Sequence, residues 1–274
     1  RGAPHSRLHF LHPQRTRAEG RVALSGGSLP PQVFVPTTQQ RDAARRGGRD
    51  AREAGSSALE WILMDGVIVV DKPQGWTSHD AVNRMRRLSG IRKVGHLGTL
   101  DPQATGVLPL VIGRATRLAQ FYLKNDKIYD AVVRFGYSTD TYDAQGTPTS
   151  PETEPTIDPE ELERALGGFL GIISQTPPPV SAKKIGGTPA YRLARKNLPV
   201  ELAPVDVHVY SIQLLECSGA DARIKVHCSA GTYLRSIAHD LGRILGCGGF
   251  LKSLRRLASG DFSCEQAHTL EQLE

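Results

Sequence analysis

Residues 66–71 read GVIVVD, an unbroken β-branched run that reads as an extended strand covered on both faces. The texture before it is different. Residues 1–60 are rich in Arg, Gly, Ala, Ser, Pro and Gln, and their apolar residues follow no period. Residues 41–52 (RDAARRGGRDAR) are expected to form a fraying basic helix and the rest of the stretch to be disordered. After the strand, Lys72-Pro73-Gln74-Gly75 is a turn, and Thr77 or Ser78 caps a helix reaching about Leu88 and closing at Gly90. Residues 91–106 read as a Gly-rich loop too polar to be core. Residues 107–112 predict a strand and 116–124 a short helix. Residues 127–135 (KIYDAVVRF) alternate as a half-buried strand, and 138–155 form a long loop.

The second half continues the mixture. A helix opens with Asp-Pro and Glu-Glu at 158–161 and stops at Gly167-Gly168. Residues 175–187 (QTPPPVSAKKIGG) are Pro-rich and basic, followed by a short helix over 189–196. Strands are expected at 205–217 and 223–228, a helix at 231–245, and a basic strand or loop at 250–257. Strands and helices alternate with no βαβ period and no internal repeat, so the chain reads as α+β rather than doubly wound.

Charge and cysteine usage narrow the function classes. The 274 residues carry a net charge of +6 with a pI near 9.3. Residues 1–60 hold ten Arg, no Lys and five acidic residues, a balance of +5, whereas 61–274 hold 24 basic and 23 acidic residues, a balance of +1. Any nucleic-acid face on the body must therefore be local. Cys217, Cys228, Cys247 and Cys264 are far apart with no CxxC pair, which excludes a zinc ribbon and reads as buried small hydrophobes. Residues 139–146 (TDTYDAQG) place two Asp before a Gly but lack the EF-hand order, so no metal is expected. No apolar run reaches the roughly 18 residues a membrane helix needs, and the chain reads as cytoplasmic.

The loop IRKVGHLGTLDPQATG carries the most chemistry. Its glycines allow close backbone approach, and a His and an Asp stand five residues apart. It is neither a Walker loop nor a dinucleotide fingerprint. Asp101, in Leu-Asp-Pro, reads either as an Asx turn or as a carboxylate at a loop tip, able to act as nucleophile or base.

The motif KVGHLGTLDPQATGVLPLVIGRATR closely resembles the catalytic motif of bacterial TruB-type tRNA pseudouridine-55 synthases. The resemblance extends through GVIVVDKPQGWTS, DKIYDAVVRFGYSTDTYDAQG, QTPPPVSAKK and CSAGTYLRSIAHDLG to LRRL, about residues 64–272 in the family's order. It implies the pseudouridine synthase fold, a mixed and mainly antiparallel central sheet with flanking helices. It implies Asp101 as nucleophile, Arg235 as its partner, and Tyr129 stacked on the target base and helping to remove its C5 proton. Tyr233 and Leu254 then wall the uridine pocket, and His96 supports a T-loop whose uridine has been flipped out. Lys183, Lys184, Arg192, Arg195 and Lys196 fall in the family's mobile thumb, here about 175–197, with Lys184 the expected phosphate contact. No cofactor, guide RNA or metal is implied. The expected partner is the tRNA T-arm, bound by a monomer.

The resemblance makes residues 64–268 the catalytic domain and 269–274 the start of a C-terminal RNA-binding domain or its linker. Residues 1–60 match nothing in the family, and 1–63 are expected to form a disordered basic tail ahead of the catalytic domain. They read as a basic RNA-tethering arm or, preferred here, as translated upstream sequence, because Met64 directly precedes the first strand. A non-catalytic tRNA-folding module is the alternative function, and retention of Asp101, Tyr129 and Arg235 together argues against it.

Overall fold

A computed structural model describes residues 65–181, 183–194 and 202–274. The first strand, β1 (Gly66–Lys72), pairs antiparallel with β3 (Thr105–Ile112), and short β2 (Val94–His96) also lies on β3. Between β1 and β2 runs α1 (Ser78–Ser89). Its N-terminus is a capping box, with Asp80 N donating to Thr77 Oγ1 at 3.1 Å and Thr77 N donating to Asp80 Oδ2 at 2.9 Å. Gly90, at φ 70°, closes it in the left-handed conformation that favours glycine. The expected helix over 116–124 is instead a 3-10 turn (Gly113–Leu118) leading into α2 (Ala119–Tyr122).

Strand β4 (Lys127–Phe135) alternates strictly between buried and half-buried positions, as its pattern requires. After the long loop comes α3 (Pro159–Gly167), capped by Asp158. Then follows β5 (Gly171–Gln175), in a stretch for which the sequence reading offered no element. A two-stranded ribbon, β6 (Lys184–Ile185) with β7 (Thr188–Pro189), leads into α4 (Ala190–Ala194). Long strands β8 (Val205–Ser218) and β9 (Asp221–Cys228) precede α5 (Leu234–Ile244). On α5, Ile237, Ala238 and Leu241 are fully buried, and each large aliphatic contributes about 1.5–3 kcal/mol. The chain then forms β10 (Gly249–Ser259) and β11 (Phe262–Ser263).

The central sheet runs β1-β3-β10-β4-β9-β8-β5, with β2 and β11 as side pairings. Only the β10–β3 contact is parallel, so the sheet is mixed and mainly antiparallel, in agreement with the α+β expectation. Of the strand or loop expected at 250–257 the structure has the strand, inside the sheet, bonded to β4 along its length and to β3 at Arg255 and Arg256. One local expectation needs correction. Residues 91–106 do contribute to the core, since Val94, Leu97, Leu100 and Ala104 are buried. Their apolar residues are too widely spaced among glycines to show a period. Among the described residues no helix is long and apolar enough to cross a membrane.

Candidate active site

The segment between β2 and β3 is pinned before it presents its carboxylate. Leu97 and Leu100 are buried, and Leu100 N donates to Ser78 Oγ on α1 at 2.8 Å. Ala104 N donates to Asp101 O at 3.0 Å, closing a turn around the Asp-Pro pair. Lys72 adds a third anchor from the end of β1. Its Nζ donates to Trp76 O at 2.6 Å, Pro73 O at 2.9 Å and Pro102 O at 3.3 Å. Burial pulls the Lys72 pKa down to about 8, and the nearby Asp101 carboxylate pulls in the opposite direction.

Arg235, on the first turn of α5, gathers the elements around Asp101. Its Nε lies 2.9 Å from Asp101 Oδ2, and its Nη1 donates to Val180 O at 2.9 Å and Thr141 O at 3.2 Å. Asp143 Oδ2 is 3.5 Å from the same Nη1. The guanidinium side chain is 6% exposed and that of Asp101 is 42%, so the fork is buried while the carboxylate stays open to a ligand. A buried arginine needs such compensation, and its planar donors can meet several acceptors at once. The start of α5 is fixed by Gln175 at the end of β5. The Gln175 amide accepts from Tyr233 N at 2.8 Å and donates to Tyr233 O at 3.1 Å.

Beside Asp101 opens a cavity of about 230 Å³ whose lining includes Tyr129, Tyr233, Leu254, Lys127 and Arg256. Tyr129 lies opposite Arg256 across the β4–β10 pair. Burial pushes the Tyr129 phenol up, and the charge of the neighbouring Arg256 acts in the opposite direction. Arg256 is 1% exposed, and its guanidinium donates to Val107 O at 2.7 Å, Gly98 O at 3.2 Å and Thr99 O at 3.4 Å. Burial pulls the Arg256 pKa down. Lys127, buried beside it, is lowered to about 8 by desolvation and then by Arg256. The cavity therefore joins a cationic base, an aromatic wall and one reachable carboxylate.

Of the residues singled out from the sequence, Asp101, Tyr129, Arg235, Tyr233 and Leu254 line this one cavity. His96 stands apart on β2, with Nδ1 buried and without a hydrogen-bond partner, and burial lowers its pKa. Lys184 lies on the β6–β7 ribbon, Lys183 and Arg192 are exposed, and Arg195 and Lys196 fall outside the described residues. Four residues of the site went unassigned: Lys72, Lys127, Asp143 and Arg256. Lys127 had a signal, because it shares the inward parity of Tyr129, Ala131, Val133 and Phe135. Arg256 had none, since bulges interrupt the β10 register.

The profile of the TruB family pseudouridylate synthase N-terminal domain matches residues 86–234, and that of the tRNA pseudouridylate synthase B C-terminal domain matches residues 235–274. The tRNA pseudouridine synthase B of Solibacter usitatus is 64% identical over 211 residues, 77% of this chain and 72% of its own. That of Aquifex aeolicus is 48% identical over 212 residues, 76% of this chain and 73% of its own. Among solved structures, the archaeal box H/ACA sRNP Nop10-Cbf5 complex aligns with a TM-score of 0.59 and 31% identity over 78% of this chain. The match covers 54% of that structure's chain, so this chain spans about half its length.

Proposed function

The chain belongs to the TruB family of pseudouridylate synthases, isomerases of uridine in tRNA, and on that premise we propose that its target is the T-loop uridine at position 55. The observation that carries the reading is the Asp101–Arg235 pair beside a cavity with aromatic and aliphatic walls, large enough for one extruded nucleoside. A uridine stacked inside a T-loop must leave the stack before its C1′ can meet a carboxylate.

The reaction breaks the N1–C1′ bond and joins C5 to C1′. The C5 proton leaves, N1 gains one, and nothing is oxidised or reduced. Asp101 is the nucleophile. Arg235 orients that carboxylate. Tyr129, opposite Arg256 across the β4–β10 pair, faces the base and relays the C5 proton. Tyr233 and Leu254 hold the ring, and His96 supports the opened T-loop. The segment 175–197 closes over the RNA as a thumb, with Lys184 on a phosphate. The enzyme acts as a cytoplasmic monomer without a guide RNA.

The test uses the purified chain, an unmodified tRNA transcript and no guide RNA. Pseudouridine should form at the T-loop position, and Asp101→Asn should bind the tRNA while forming none. Tight binding without product by the wild-type chain would favour a tRNA-folding module, and product only on addition of a guide would overturn the stand-alone reading.

A further inference from the structure

Tyr142 is the one non-glycine residue with positive φ among the described residues, at 63°. A bulky side chain in the left-handed region crowds its own backbone, so it persists there only where its surroundings over-determine it. Here the turn is fastened to β10. Leu251 N donates to Tyr142 O at 3.0 Å, and Ala144 N donates to Leu251 O at 3.1 Å. The Tyr142 ring lies face to face on His239, with centroids 3.8 Å apart and planes 8° from parallel.

His239 stands one turn beyond Arg235, on the same face of α5. On the other partner, the residues flanking Tyr142 both reach Arg235: Thr141 O accepts from Nη1 at 3.2 Å and Asp143 Oδ2 is 3.5 Å from it. Asp143 is itself oriented, its Oδ1 accepting from Thr141 Oγ1 at 2.7 Å and Gln145 N at 3.0 Å. The reversal at Tyr142 brings two acceptors onto one guanidinium while its ring grips the helix bearing that guanidinium. His239 Nδ1 is buried without a hydrogen-bond partner, so at that atom only packing holds the imidazole. Neither ring lines the cavity.

We infer that Tyr142 and His239 are positioning residues: their stack locks the 139–146 turn to α5 and so aims Arg235 at Asp101. The inference deepens the catalytic reading above and rests on it for its kinetic consequence. It also requires the strain at Tyr142 to serve the aromatic ring, because glycine would adopt the same φ at no steric cost.

Tyr142→Gly, Tyr142→Phe, His239→Ala and the double variant Tyr142→Gly/His239→Ala, each shown folded by circular dichroism, separate this role from mere packing. With unmodified tRNA, Tyr142→Gly and His239→Ala should lose roughly tenfold to a hundredfold in kcat with little change in KM. Tyr142→Phe should retain activity, and the double variant should be no worse than either single change, because the two rings act as one unit. The ¹⁵N resonance of the Arg235 Nε–H reports the geometry without turnover. It should exchange slowly in the wild type and Tyr142→Phe and fast in Tyr142→Gly. A Tyr142→Gly variant with wild-type kcat, or with an unchanged Arg235 Nε–H, overturns the inference. If the wild-type chain forms no pseudouridine, the catalytic reading fails while the resonance still decides whether the stack positions Arg235.

Discussion

Arg235 Nε and Asp101 Oδ2 are 2.9 Å apart, and the same guanidinium also bonds Val180 O and Thr141 O. One side chain on α5 thus ties together the loop before β3, the loop after β4 and the root of the segment following β5. Its planar fork is what makes several simultaneous contacts possible.

Arg235→Lys keeps the charge and loses the fork. A lysine can approach Asp101 but cannot also hold both carbonyls, so the carboxylate loses its aim. We expect kcat to fall roughly a hundredfold to a thousandfold with KM for tRNA little altered. Steady-state and single-turnover kinetics on the same transcript measure it, and near wild-type turnover would show that charge alone suffices.

Gly106 sits where β3 meets β10, at φ +98°, and a Cβ there would lie 2.2 Å from Arg256 O. The obstruction is backbone within the central sheet, which cannot swing aside. Gly106→Ala should therefore destabilise the fold by about 3 kcal/mol or more, visible as a lowered urea midpoint or as insoluble protein. A midpoint equal to wild type would mean that the two strands separate freely at this point.

Lys72 is 0% exposed and its pKa is pulled to about 8, against an ordinary value of 10.5. Below about pH 8 the ammonium is buried in the folded state at full cost. Between about 8 and 10.5 the folded protein has released a proton that the unfolded chain retains, so stability rises with pH across that window. Lys127, also near 8, adds to the same rise. Lys72→Met leaves three carbonyls without this donor and should lower stability at every pH. The decisive reading is the slope: urea titrations from about pH 8 to 10 should show a flatter rise than in wild type. An identical slope would mean that Lys72 titrates at its ordinary value in the folded protein.

Residues 1–60 carry +5 of the net +6. We expect a chain starting at Met64 to keep its turnover and nearly its full salt dependence of tRNA binding. Lys184→Ala should reduce the slope of log K against log salt by roughly 0.7–0.9, the value of one phosphate contact. A steep loss of affinity on removing residues 1–63, with little effect of Lys184→Ala, would assign RNA binding to the N-terminal stretch.

Much of the secondary structure was legible because its causes are local. The capping box at Thr77 and Asp80, the stop at Gly90 and the two-residue period of Lys127–Phe135 are each set within a few neighbouring residues. The Asp101 loop was legible as chemistry, but the assignment of Asp101, Tyr129 and Arg235 to one site came from the resemblance and not from spacing. Asp143 was passed over because its segment read as a failed calcium loop. Lys72 and Arg256 were passed over because a charged side chain is ordinarily a surface side chain.

The sequence by itself determined where most of the long strands and helices lie, since capping, period and turn chemistry act over less than about ten residues. Only the tertiary structure decided that β10 enters the sheet between β3 and β4, which buries Arg256 behind Tyr129 and makes Gly106 obligatory. It alone decided that Thr141, Asp143 and Arg235 meet behind Asp101. The physical reason is that burial and ion pairing belong to neighbours in space. Which strand lies beside which is settled by the packing of the whole core, and no local pattern of residues records it.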